Sequence, residues 1–158
     1  MAPRLPLEIS AALAERATAL RARAEGRVLD LGDRSLDDAD GRYDTIFSFV
    51  QTPYEADLDR YCRRLRELLE PDGTLYVLEP TIRTGPLGRA LSLGGRIARP
   101  MTGLHLDRDI AQAVRRSGLF VTDLHRFEIA SVSAPLRPFV EAWARFPTPA
   151  PKPADEVS

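Results

Sequence analysis

The stretch from Tyr43 to Pro80 limits the possible folds more than any other. It reads YDTIFSFV, then QTPYEADLDRYCRRLRELLE, then PDGTLYVLEP. Tyr43 to Phe49 is short, β-branched and aromatic, which suits a strand buried on both faces. The segment after it sets Leu58, Tyr61, Leu65 and Leu68 three and four residues apart, the stripe of an amphipathic helix. Arg60, Arg63, Arg64 and Glu67 take the opposite face. Pro71-Asp72-Gly73 predicts a stop and a tight turn, and Thr74 to Leu78 a second apolar strand. A strand, helix and strand of this length make a right-handed parallel crossover, the unit of an open α/β sheet.

The rest of the chain adds three strands and two or three helices. Leu5 to Ala24 has helical periodicity in Ile9, Leu13, Ala17, Leu20 and Ala24. Arg27 to Leu31 is a short strand, and Gly32 to Arg42 a polar loop rich in aspartate. Pro86 to Ala98 carries a further helix, although Gly88, Gly94 and Gly95 weaken it. Asp107 is the expected N-cap of a helix over Arg108 to Ser117, with Gly118 as its stop. Leu119 to Ile129 and Pro138 to Arg145 form an antiparallel pair. Residues 1–146 therefore read as one domain, and 147–158 as a disordered, proline-rich tail.

Bulk properties exclude several classes. A net charge of -1 provides no overall field for nucleic acid or an anionic membrane. One cysteine, Cys62, leaves no internal disulfide and fits a reducing compartment; as part of a helix it reads as a packed, inert thiol. No run is long enough to span a bilayer and no signal-like region follows Met1, so the expected location is cytoplasmic.

In order, these pieces resemble the class I S-adenosylmethionine-dependent methyltransferases of the small-molecule and quinone type. Val28-Leu29-Asp30-Leu31-Gly32 is similar to their first strand and turn, and Tyr43 to Ser48 to their fourth strand. Leu69-Glu70-Pro71-Asp72-Gly73 followed by Leu75 to Pro80 resembles their L-x-P-G-G turn and fifth strand. Ser117 to Val121 resembles the entry to their sixth strand, and Arg137 to Arg145 their seventh. The resemblance implies a Rossmann-like α/β fold with a mixed five-stranded sheet and helices on both faces, the last strand running antiparallel between the third and fourth.

It also implies a shortened member. The family's G-x-G-x-G loop would follow the first strand, yet Gly32 is followed by Asp33-Arg34-Ser35-Leu36. The second and third strands, whose acidic ends hold the cofactor, would have to lie between Gly32 and Arg42; about eleven residues cannot contain them. One wall of the ligand crevice is thus missing. The first strand becomes an edge open to a second copy or to a methyltransferase partner. The expected protein is an accessory or binding subunit, a pseudoenzyme that binds no S-adenosylmethionine as an isolated chain. The alternative is an enzyme whose site a partner subunit completes, with S-adenosylmethionine bound in the complex. A small enzyme of another reaction type and a decayed gene product are further readings.

By the resemblance, Asp30, Gly32, Ser48 and Phe49 are a vestigial cofactor corner; Asp30 reads equally as a strand-end aspartate capping its loop. Asp33, Asp37, Asp38 and Asp40 lack a calcium-loop pattern and read as a solvated acidic loop rather than a metal site. His105 is the candidate acid or base, because it lies where the family covers its substrate, and an ordinary loop histidine is the simpler reading. His125, on a strand away from the crevice, reads as structural. Arg83, Arg89, Arg96 and Arg99 suit either an anionic partner surface or a solvated helix face. No aromatic interleaving points to nucleic acid.

Overall fold

The computed structural model describes residues 7–81, 108–131 and 137–148, the first four by their backbone alone. The expected helix over 86–98, Asp107, His105, the four arginines of the 83–99 segment and the tail beyond Thr148 lie outside the described residues.

The element order is α1 (Leu7–Arg21), β1 (Val28–Asp30), β2 (Tyr43–Phe49), a 3-10 turn (Thr52–Tyr54), α2 (Leu58–Leu68), β3 (Leu69–Pro80), α3 (Ile110–Arg116), β4 (Phe120–Glu128) and β5 (Pro138–Arg145). The five strands form one sheet in the order β1-β2-β3-β5-β4. β1, β2 and β3 are parallel; β5 runs antiparallel between β3 and β4. The last strand therefore inserts where the resemblance places it. The β1–β2 pair is parallel as well, although an irregular loop of about a dozen residues, without a helix, makes the crossover.

One face of the sheet is covered by α2 and α3. Tyr61, Cys62, Leu65 and Leu68 from α2 and Ile110, Ala113 and Val114 from α3 pack on Leu29, Ile46, Leu75, Val77 and Val140. Leu36 and Ala39, from the loop after β1, join this core. α1 covers the other face with Leu13, Leu20 and Ala17. Arginines add to these contacts. Arg16 stacks over Phe127 at 3.8 Å and Arg21 over Phe49 at 5.0 Å, while Arg23, just past the helix, stacks over Trp143 at 4.2 Å. Beneath them runs a row of aromatics, Phe47, Tyr76 and Trp143, in register across β2, β3 and β5. Ala24, expected on the apolar stripe, is exposed because α1 has already ended at Arg21. Gly26 follows with φ of 61°, and a Cβ there would collide with the Asp44 carboxylate that accepts from Arg27 N–H at 2.8 Å.

Two local expectations need correction. Pro71-Asp72-Gly73 does not turn the chain ahead of a new strand. Leu69 already pairs with Tyr43, and the register then jumps to Thr45 opposite Thr74, so the tripeptide lies in a bulge. Leu69, fully buried, anchors the early start of β3. The N-cap of α3 is Asp109, whose carboxylate accepts from Gln112 N–H at 3.1 Å, two residues beyond the expected cap.

Candidate functional site

At the carboxyl ends of β1 and β2 lies a cleft of about 750 Å³. Three elements form it: the loop after β1 (Leu31 to Asp37), the turn after β2 (Gln51 to Asp57) and one flank of α2 (Arg60 to Glu67). In an open α/β sheet this is the end where ligands sit. The arginines of α2 that the sequence assigns to a solvent face thus form a cleft wall. Arg64 bonds the Ala39 carbonyl at 3.1 Å and pairs with Glu67 at 3.4 Å. Asp57 is engaged as the N-cap of α2 through Arg60 N–H. Burial raises the Glu55 carboxyl, and the Asp37 carboxylate raises it further. Arg108 donates to the carbonyls of Glu55 and Ala56, which ties the start of the third helix to the rim of the cleft.

The four residues of the expected cofactor corner separate into three environments. Asp30 ends β1. Its carboxylate accepts from Gly32 N–H at 2.9 Å and from Arg21 at 2.7 Å, and its carbonyl takes the N–H groups of Asp33 and Arg34. Gly32 lines the cleft, and a Cβ added there would first meet Asp30 Oδ1, at 3.2 Å. Phe49 packs under Arg21 on the opposite face of the sheet. Ser48 is buried beneath the turn after β2 and bonds Tyr61 and Glu79. His125 is exposed on β4, at the far edge of the sheet, with Nε2 3.2 Å from Asp123. Among the described residues no group of three or more acidic, histidine or cysteine side chains is placed to hold a metal.

Sequence reasoning passed over Glu79. It is wholly buried at the end of β3, and its carboxylate accepts four hydrogen bonds. Ser48 Oγ donates at 2.7 Å, Gln51 N–H at 3.0 Å, Thr52 N–H at 3.1 Å and Thr52 Oγ1 at 2.9 Å. Burial pushes the carboxyl up to about 7 against the pull of those donors. The two backbone N–H groups come from a turn entered through Val50, a β-branched residue with φ of 52°. Glu79 therefore fastens a strained turn whose next residues form the cleft wall. The signal in the sequence was a glutamate inside a run otherwise buried on both faces, since a buried carboxyl needs partners.

No family model matches this sequence, and no curated protein does. Solved structures match it by shape. A protein of Bacillus halodurans C-125 designated a methyltransferase superposes with a TM-score of 0.63 at 9% identity, over 87% of this chain and 100% of that one. An S-adenosylmethionine-dependent methyltransferase from Thermotoga maritima gives 0.57 at 13% identity, over 87% and 90%. A methyltransferase of Haloferax volcanii, solved in complex with the Trm112 methyltransferase activator, gives 0.56 at 13% identity, over 93% and 100%. At these identities the likeness is one of fold. The chain has the fold of the class I S-adenosylmethionine-dependent methyltransferases, reduced to a mixed five-stranded sheet.

Proposed function

We propose that this protein is a methyltransferase-like accessory or binding subunit whose S-adenosylmethionine site is incomplete in the isolated chain. The state of Asp30 carries this reading. Its carboxylate is satisfied by Gly32 N–H and Arg21, and its strand is the last of the sheet, with no strand beyond it among the described residues. A cofactor at this corner would have to displace an ion pair, and would find no second wall to bind. The same reading takes residues 1–146 as one domain, treats Asp30, Gly32, Ser48 and Phe49 as vestigial, and places the protein in the cytoplasm. No described helix is long and apolar enough to cross a membrane.

A second reading keeps the methyltransferase activity and assigns the missing wall to a partner protein or a second copy. The Haloferax volcanii neighbour, solved with an activator protein, supports it. Calorimetry with S-adenosylmethionine and S-adenosylhomocysteine tests both readings. For the isolated chain the expected dissociation constant is no tighter than about millimolar, or about 4 kcal/mol of binding free energy. A low-micromolar constant for the monomer overturns the accessory reading. Tight binding that arises only in an assembled complex selects the second reading.

A further inference from the structure

The buried carboxyl of Glu79 is connected to the cleft by two hydroxyl groups. Glu79 Oε1 lies 2.7 Å from Ser48 Oγ, and Ser48 Oγ lies 2.8 Å from Tyr61 Oη. Tyr61 lines the cleft. We propose that Ser48 and Tyr61 relay the protonation state of Glu79 to the cleft, so that one buried proton sets the hydrogen-bond polarity of the cleft wall. This holds whichever reading of the cofactor corner is right, because it uses neither Asp30 nor a cofactor.

The number of available hydrogens fixes the direction of each bond. With Glu79 ionised, all four of its neighbours donate to it, which commits the Ser48 hydrogen to Oε1. Ser48 can then only accept from Tyr61, so Tyr61 points its hydrogen inward and leaves a lone pair for the cleft. With Glu79 protonated, its new hydrogen must find an acceptor. The N–H groups of Gln51 and Thr52 cannot accept, and only the hydroxyls of Ser48 and Thr52 can. At Thr52 the displaced hydrogen has no second hydroxyl behind it among the described bonds. Ser48 does have one. Its hydrogen swings from Glu79 to Tyr61 Oη, and the Tyr61 hydrogen is released toward the cleft. The added proton comes from solvent, and the O–H bonds of Ser48 and Tyr61 only rotate. The cleft then favours a ligand that presents an acceptor oxygen, as in a carboxylate, phosphate or carbonyl group.

The surroundings leave this carboxyl free to titrate where such a relay would matter. The titratable groups facing it are Tyr54 on the turn and Tyr61 and Cys62 on α2. β5 offers Val140 opposite Glu79, and Arg108, ahead of α3, is engaged with the Glu55 and Ala56 carbonyls. Burial pushes Glu79 to about 7 against the pull of its hydrogen-bond donors.

Nuclear magnetic resonance on the full chain tests the relay. The readouts are the backbone amides of Gln51 and Thr52 and the ring Cζ of 13C-labelled Tyr61, assigned with Tyr61→Phe, from about pH 5 to about pH 9. In the unmodified protein all three are expected to move together with one midpoint near 7. Glu79→Gln removes the titrating group, so all three signals should stop moving with pH, although its NH2 leaves either the Gln51 or the Thr52 N–H without an acceptor. Ser48→Ala should leave the two amides titrating and silence Tyr61. A Tyr61 signal that fails to follow the amides in the unmodified protein overturns the proposal. So does one that still follows them in Ser48→Ala, which keeps the proposal falsifiable if Glu79→Gln does not fold.

Discussion

Glu79 also makes a thermodynamic prediction that needs no ligand. Its carboxyl titrates near 7 in the folded protein and near 4.5 when unperturbed, and burial is the main cause. The folded state therefore binds this proton more tightly than the unfolded chain does. The resulting stabilisation is complete below about pH 4.5 and is lost as pH rises through about 7. At about 1.4 kcal/mol per pH unit, the interval between those values is worth about 3 kcal/mol. Most small domains have only about 5–15 kcal/mol in total. Urea unfolding of the unmodified protein and of Glu79→Gln, at intervals from about pH 5 to about pH 8, reads the effect. The difference between the two is expected to change by about 2–3 kcal/mol over that window, with the unmodified protein losing ground as pH rises. The comparison cancels carboxyls such as Glu55, which burial also raises. Glu79→Ala should fare worse than Glu79→Gln at every pH, because both N–H groups, of Gln51 and Thr52, lose their acceptor at about 1–3 kcal/mol each, whereas the amide oxygen of Gln keeps one of them. A difference between unmodified protein and Glu79→Gln that stays constant across the window would refute the reasoning.

Gly26→Ala combines a left-handed backbone with a collision against the Asp44 carboxylate, so chemical denaturation should show a loss of at least about 1 kcal/mol. Cys62 is 1% exposed and burial pushes its thiol up to about 12, so a thiol reagent at pH 8 should modify it only at the rate of unfolding. Fast modification of the native protein would contradict the packing of α2 against the sheet. Val28 is the exposed apolar residue of the β1 edge, at 41%. If copies or partners join there, Val28→Lys should abolish the association in sedimentation while leaving the fold intact; an assembly that survives the change is joined elsewhere.

Much of the architecture was legible because it rests on local pattern. Tyr43–Phe49 and Pro138–Arg145 have the bounds that their apolar runs suggest. The insertion of β5 between β3 and β4 followed from the resemblance to the methyltransferases and not from any pattern in the residues. Three features were not legible, each because a distant residue decides it. Pro-Asp-Gly is a turn signature, yet Leu69 finds a buried place beside Tyr43 and pulls the tripeptide into a bulge. Asp107 and Asp109 bracket Arg108 and are equally good caps on paper; the bonds from Arg108 to Glu55 and Ala56 help hold that residue outside the helix, and Asp109 caps it. The importance of Glu79 depends on Ser48, Gln51 and Thr52, which are remote in sequence and come together only when β2 and β3 pair. α1 is a milder case: arginines beside its apolar stripe stack on rings of the sheet, and hydrophobic periodicity does not count arginine.

The edge left by the short loop after β1 is less adhesive than the missing strands suggest. In a parallel ladder alternate residues face the neighbouring strand, so Arg27, Leu29 and Leu31 direct their main-chain groups at β2. Val28 and Asp30 face outward. The carbonyl of Asp30 already accepts from Asp33 and Arg34, which removes it as a partner for another chain. What remains is the N–H and carbonyl of Val28 and the N–H of Asp30, a short purchase for a strand from elsewhere. Short edges are one of the ways sheets avoid uncontrolled pairing. Leu29, by contrast, is 1% exposed and belongs to the core under α2, so a charge placed there would test folding and not assembly. A partner that supplies the missing wall of the crevice would therefore need more than this edge. The adjoining surface on the same side of the molecule is the cleft between the loop after β1 and α2, where Arg60 and Arg63 make no ion pair with any described residue. If a second protein completes the cofactor site, the loss of two strands would leave both the gap and the surface that receives it at one place, the carboxyl end of β1.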